Sequence, residues 1–142
     1  MSAHMQMLPE CDETHWPLAI LVAETALDAD GVRAGLDTVE RWLRREQPFA
    51  LLVVAACEIA FQSDAAMLSM MTQRIDLVRA ALHRSLLGIA VVAPASTVDA
   101  ARRSLARLPL DMPLEVFETG SLAVRWLCAS ALSPAGLVVD SL

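Results

Sequence analysis

One run of nine uncharged residues constrains the fold of this chain more than any other stretch. The run is FALLVVAAC at positions 49–57, and it lies between Pro48 and Glu58. It is short, rich in β-branched and bulky apolar residues, and shows no alternation with polar residues. These properties predict a strand that is buried on both faces. Because such a strand needs a covering layer on each side, we expect helices on both faces of its sheet.

The rest of the chain alternates between strand and helix patterns. Strand patterns lie at 18–24, 49–57, 89–93 and 114–117. Each is followed by apolar residues at helical spacing, and the second helical stretch predicts one long helix that ends at Gly88. The order βαβαβαβα predicts a single α/β domain with a mainly parallel four-stranded sheet and helices on both faces. The last strand alternates in polarity and is expected near a sheet edge.

The same patterns divide the chain into three parts. Residues 1–15 have no period and predict a flexible N-terminal arm. Residues 16–132 form the α/β domain, which is long enough for its own core. Residues 133–142 form a C-terminal tail. Its strand-like stretch at 137–139 has two open interpretations: it pairs with a sheet edge, in this chain or in another, or it is a disordered end.

Composition narrows the classes of partner. The chain is 56% hydrophobic and 20% charged, and this surplus suggests apolar surface buried against another protein or, more specifically, in a homodimer. A net charge of −6 disfavours nucleic acid. No uncharged apolar run approaches the ~20 residues of a membrane span. The opening residues lack the basic start and apolar core of a signal peptide, so we expect a cytoplasmic protein.

Sequence motifs for nucleotide, metal or nucleophilic chemistry are not found. Cys11, Cys57 and Cys128 share no metal-type spacing, and the three histidines are scattered. Neither a glycine-rich phosphate loop nor a G-x-S-x-G elbow occurs. We therefore predict no cofactor and no metal.

Four polar residues are candidates for ligand binding because they follow predicted strands. In open α/β sheets, ligands bind beyond the carboxyl ends of the strands. Glu24 and Glu58 form the one plausible acid/base pair at that edge, although carboxylates there also serve as solvated strand ends. Ser96 and Thr97 open a predicted helix and would hold an anion on free backbone N–H groups, or simply cap the helix.

The middle and the end of the chain together resemble a known family. A strand, a short connection, an acidic cap and a long helix are followed later by VFETGSLAVRWL at 116–127. This arrangement, over roughly 16–130, resembles the bacterial STAS domains, the anti-sigma-factor-antagonist-like class. The resemblance implies a non-enzymatic regulatory switch, which in many members is phosphorylated on a serine after the central strand.

The stretch that corresponds to the phosphorylated turn departs from the family pattern. It reads FQSDAA at 61–66, with Asp64 at the place of the usual acceptor and Gln62 and Ala65 in place of the usual Asp and Gly. Ser63 remains as a possible phosphorylation site. The alternative is that Ser63 and Asp64 only cap the helix that follows.

Three methionines lie near the start of that helix. Met67, Met70 and Met71 would offer an adaptable surface to a partner, although methionines at helical spacing also fill cores. With Ser63 and Asp64 they form the predicted docking surface for a protein partner.

Three functions follow as hypotheses. The first is an intracellular, non-enzymatic protein–protein interaction or regulatory module that resembles STAS domains. The alternative is a carrier of a small apolar ligand or lipid, which a co-purifying apolar molecule would favour. The third is a small enzyme that uses Glu24 and Glu58, which loss of activity in Glu58→Gln would favour.

Overall fold

The computed structural model describes residues 10–23, 29–55 and 65–139. These residues form a five-stranded sheet in which the strands lie side by side in chain order. The strands are β1 (Glu10–Asp12), β2 (Leu18–Ala23), β3 (Phe49–Ala55), β4 (Leu86–Val92) and β5 (Leu114–Phe117). The strand β1 is antiparallel to β2, and all other pairs are parallel. The predicted α/β class and mainly parallel sheet are confirmed, and β5 lies at an edge as expected.

The predicted count of four strands is wrong. The additional strand, β1, lies within the segment that we predicted as a flexible arm, and it pairs along the outer side of β2. A strand of three residues with no apolar alternation carries no periodic signal of its own. Its place depends on the backbone groups that the edge of β2 offers.

Five α-helices accompany the sheet in the described part of the chain. They are α1 (Ala29–Leu43), α2 (Ala65–Leu77), α3 (Arg79–Ser85), α4 (Val98–Leu105) and α5 (Gly120–Leu127). The single long helix predicted between the second and third strands is wrong, because it breaks at Val78 into α2 and α3. Leu86 and Leu87, predicted as its last turn, belong to β4 and hydrogen-bond in the sheet.

The helices cover both faces of the sheet, but unequally. The four helices α1 to α4 supply side chains to one buried cluster, including Trp42, Ile75 and Ala101, together with Phe49 and Leu51 of β3. The connections between neighbouring parallel strands lie on one face because all of them cross over with the same hand. The helix α5 packs on the opposite face, where a second cluster contains the intervening residues of β3. The predicted two-sided burial of the 49–57 run is therefore confirmed for β3.

An aromatic cluster anchors the carboxyl end of α1 to the starts of β2 and β3. Trp16 stacks on Phe49 with ring centroids 5.1 Å apart, and Trp42 meets Phe49 edge-on at 6.3 Å. The guanidinium of Arg45 lies 4.2 Å from the centre of the Trp16 ring and pairs with Glu13. Stacked aromatic and cation–π contacts add to the burial of these large side chains. The helix α1 is thus held firmly at this end.

The C-terminal segment folds back on the second face. After α5, a π-helical turn (Cys128–Leu132) and a 3₁₀ turn (Ser133–Ala135) end at Gly136, which has a φ of 77°. The Leu137 N–H donates to the Leu132 carbonyl, and the Gly136 N–H donates to the Ser133 carbonyl, both at 2.9 Å. These two bonds define a Schellman motif. Leu137 and Val139 pack against the second cluster, without forming a strand.

Side chains satisfy the outward backbone groups in the middle of the edge strand β5. The Val116 N–H donates to the Glu115 carboxylate at 2.9 Å, and Arg102 Nη2 donates to the Val116 carbonyl at 3.1 Å. Arg102 Nε also contacts Glu115 at 3.2 Å. An edge whose backbone groups are already bonded is a poor template for another strand.

Gly88 lies inside β4 rather than at the end of a helix. The register between β3 and β4 shifts here, since β4 uses one more residue than β3 between its pairings with Phe49 and Leu51. A glycine in a strand often marks such a bulge. A Cβ at Gly88 would lie 3.1 Å from the Ala131 Cβ and 3.7 Å from Leu127, because the segment after α5 packs directly on this position.

We expect Gly88→Val to lower the free energy of unfolding by about 1–3 kcal/mol, as overpacking of a tight core position does. Urea denaturation would measure the change. Gly120→Ala is the control, because a Cβ there meets nothing within 4 Å. If both variants unfold at the same urea concentration as the parent, the close packing of the C-terminal segment on β4 is wrong.

Candidate functional site

A cavity of about 260 Å³ lies between α1, α2 and the sheet, with residues of α3 and α4 also in its lining, and it is partly open to solvent. Its floor is formed by β2, β3 and β4, with Leu21, Val53 and Val91 among the lining residues. Its walls include Leu36 of α1 and Met71 of α2. Concave, mostly apolar spaces of this kind are the usual form of small-molecule sites.

Small residues form part of the cavity lining. Gly31 and Gly35 are one helical turn apart on α1, so they lie on the same helix face, and both line the cavity. Ala23 and Ala55, the last residues of β2 and β3, also line it.

The volume suits an organic molecule better than water. An engineered apolar cavity of about 150 Å³ stays dry and binds benzene. The cavity described here is larger, and it has few polar groups to hold water. Among the described residues that line it, the charged ones are Glu40 and Arg74, and the one neutral polar side chain is Ser104. Water needs two to four polar partners, so an apolar occupant is favoured.

An ion-pair cluster links the two helices beside the cavity. Arg74 of α2 donates to Glu40 of α1 from Nη2 at 2.6 Å and from Nε at 3.0 Å. Its Nη2 also donates to Asp37 Oδ1 at 2.7 Å. Asp37 and Glu40 raise the pKa of Arg74 further above its ordinary value by hydrogen bonds and charge, so its guanidinium stays charged. The side chains of Arg74 and Glu40 are each about one-quarter exposed, whereas that of Asp37 is largely exposed.

The helix α2 is the least firmly packed wall. Its one buried residue is Ile75, and Leu77 is 82% exposed. The helix α1 in contrast buries Trp42 and Leu43 and ends in the aromatic cluster. Because elements with few buried apolar contacts open at a lower free-energy cost, α2 is the wall that moves most readily.

The predicted docking residues are placed in part by the structure. Met67 and Met71 line the cavity, and Met70 is half-buried on α2 outside the lining. Ser63 and Asp64 lie outside the described residues. The structure therefore turns two of the three methionines towards an internal space, where a flexible thioether side chain adapts well to an occupant.

Ser96 and Thr97 are not among the described residues that line the cavity. Glu24 and Glu58 lie outside the described residues. Ser96 and Thr97 lie in a 3₁₀ turn (Ala95–Thr97) before α4, and Thr97 Oγ1 donates to the Pro94 carbonyl at 2.9 Å. Thr97 therefore makes a local turn bond instead of a side-chain cap on α4. Anion binding at this turn stays a prediction.

Residues 10–23, 29–55 and 65–139 contain neither a candidate metal-binding cluster nor a candidate membrane-spanning helix. No group of three or more His, Cys, Asp or Glu side chains there is placed to hold a metal ion. No helix in the same ranges has the length and apolar character to cross a bilayer.

The sequence carried one overlooked signal for the cavity. Gly31 and Gly35 interrupt an otherwise apolar helix face at a spacing of four residues. Glycine inside a helix costs about 1 kcal/mol relative to alanine, so a pair on one face calls for a packing or functional reason. Sequence reasoning that considered only large apolar residues missed this pair.

Comparisons with protein-family models, curated proteins and solved structures found no match for the chain. The cavity and its surroundings are therefore the features from which a function can be inferred.

We expect Arg74→Leu to lower the free energy of unfolding by about 1–3 kcal/mol, because Glu40 keeps its charge in a mostly buried position without its partner. Urea denaturation would measure this loss. Arg33→Leu is the matched control, since it removes an exposed pair with Asp30 within the same helix. That control should change stability by less than about 0.5 kcal/mol. Equal effects of the two substitutions would contradict the role of Arg74 as the link between α1 and α2.

Proposed function

We propose that this protein binds a small apolar molecule in the cavity between α1, α2 and the sheet, and acts as its carrier. The observation that carries the proposal is the apolar cavity of about 260 Å³ in a protein of 142 residues. An apolar lining that faces solvent lacks the dispersion contacts that packed protein atoms make with one another. An occupant restores those contacts, which supports a binding role.

Features of the walls support the same proposal. Glycines on the firmly held α1 line the space, while the lightly packed α2 offers a route for entry and release. The methionines at 67 and 71 supply side chains that adapt to the shape of a guest. A carrier has to bind and release its ligand, and one rigid wall with one mobile wall suits both steps.

The proposal predicts that Val53→Phe abolishes binding of aminonaphthalene, an uncharged fluorophore that brightens in apolar surroundings. Val53 lines the cavity, so a phenyl ring there occupies the space that the probe needs. Fluorescence titration would measure the loss, and thermal unfolding should show that the variant remains folded because the ring fills a void.

The matched control is Val54→Phe. Val54 neighbours Val53 on β3 but packs against the cluster on the opposite face, and it is also half-buried. This control should bind the probe as the parent does. If the parent protein does not bind aminonaphthalene, or if both variants bind it equally well, the carrier proposal is wrong.

A second candidate function is the predicted interaction module, which includes the homodimer and the STAS-like regulatory role. A separate feature favours it: the exposed Leu77 and the half-buried Met70 are seven residues apart on α2, so they lie on one stripe of that helix. Exposed apolar side chains on one helix face often mark a contact with another protein. We propose this stripe as the docking surface of that alternative.

The double variant Met70→Glu/Leu77→Glu tests the interaction module. If the protein forms a dimer through this stripe, two carboxylates placed there should shift it to monomers in sedimentation-velocity measurements. Ala65→Glu/Ser69→Glu is the control, because it adds the same two carboxylates at exposed positions on another side of α2. A parent protein that sediments as a monomer, or a dimer that survives the first variant, would contradict docking between copies through this stripe.

A further inference from the structure

The charges beside the cavity define the chemical class of its ligand. We infer that the cavity selects uncharged ligands, such as medium-chain alcohols, and rejects the corresponding carboxylates, through the Asp37–Glu40–Arg74 cluster. This inference depends on the proposed carrier function, because it concerns the same cavity.

The charges of the Asp37–Glu40–Arg74 cluster beside the cavity do not balance. Two carboxylates face one guanidinium, so the cluster carries one net negative charge. Glu40 and Arg74 line the cavity and balance in charge, and the largely exposed Asp37 adds the net negative charge from outside the described lining. A ligand carboxylate would lose its hydration in these apolar surroundings, and it would also meet solvent-screened repulsion from Asp37.

The guanidinium of Arg74 already donates hydrogen bonds within the protein. Its Nε and Nη2 atoms both donate to Glu40, and Nη2 also reaches Asp37. A ligand carboxylate that took these donors would leave the mostly buried Glu40 without its partner. Leaving a partly buried carboxylate without its partner is unfavourable. Arg74, the cation among the described residues that line the cavity, therefore does not serve as an anion site.

An uncharged ligand avoids both costs. Its apolar part occupies the space bounded by the sheet and the methionines of α2, while a hydroxyl group can bond to the Glu40 carboxylate or to the Ser104 hydroxyl. Both of these side chains line the cavity and are partly buried. An alcohol thus keeps a hydrogen bond without disturbing the ion pair.

The experiment compares octanol with octanoate as competitors of bound aminonaphthalene at neutral pH. The two competitors share the same chain length and differ mainly in charge. Octanol should displace the probe at a concentration at least about tenfold lower than octanoate, which corresponds to about 1.4 kcal/mol. The ratio of the two midpoints is the measured quantity.

Charge-neutralising variants make the test specific. In Asp37→Asn the cluster has no net charge, and in Asp37→Asn/Glu40→Gln it carries one net positive charge. The preference for octanol should fall in the first variant and reverse in the second. Asp37→Asn alone suffices if the double variant does not fold, because the Asp37 side chain is 67% exposed.

The outcomes separate this inference from the proposed function. Failure of aminonaphthalene to bind the parent protein would contradict the carrier function itself. If the probe binds and octanoate displaces it as well as octanol does, the cavity is a carrier site without the proposed selectivity. An octanol preference that is the same in the parent and in the Asp37→Asn variant would also overturn the inference, because the cluster would not be its cause.

Discussion

The burial of β3 on both faces is the constraint on which the rest of the structure depends. A central strand without polar positions is stable only between two apolar layers, so the chain must supply helices to both sides. Four helices cover one face, and α5 with the segment after it covers the other. The close approach at Gly88 and the Schellman motif at Gly136 both serve this second layer, since they bring a single helical segment and its tail onto the sheet.

The two helices that enclose the cavity are held by different forces. The carboxyl end of α1 is fixed by the Trp16–Trp42–Phe49 cluster, in which burial and ring contacts act together. The helix α2 depends on one buried isoleucine and on the ion pairs of Arg74. Partly exposed ion pairs are weakened by salt screening, whereas apolar burial is not. The two helices therefore differ in the forces that hold them beside the cavity.

Burial inside the protein explains part of the high apolar content of the chain. Much of it lies in the two clusters on either side of the sheet and in the lining of the cavity. At Val116 the edge strand β5 is occupied by Arg102 and Glu115, which disfavours association by strand pairing there. In the described part of the chain the exposed large apolar side chains are Leu77, Leu122 and Val138, and the first of these belongs to the proposed docking stripe on α2. High hydropathy alone does not distinguish these uses.

The sequence by itself determined the α/β class, the two-sided central strand and the edge position of the 114–117 strand. These features follow from local periodicity. Only the tertiary structure decided that Glu10–Asp12 joins the sheet and that a helix is interrupted at Val78. It also decided that Ala131 packs directly on Gly88. The place of Gly31 and Gly35 in the lining of a cavity beside Arg74 is a third such feature. Each of these depends on which residue of a distant segment lies opposite, and periodicity along the chain does not specify distances between segments.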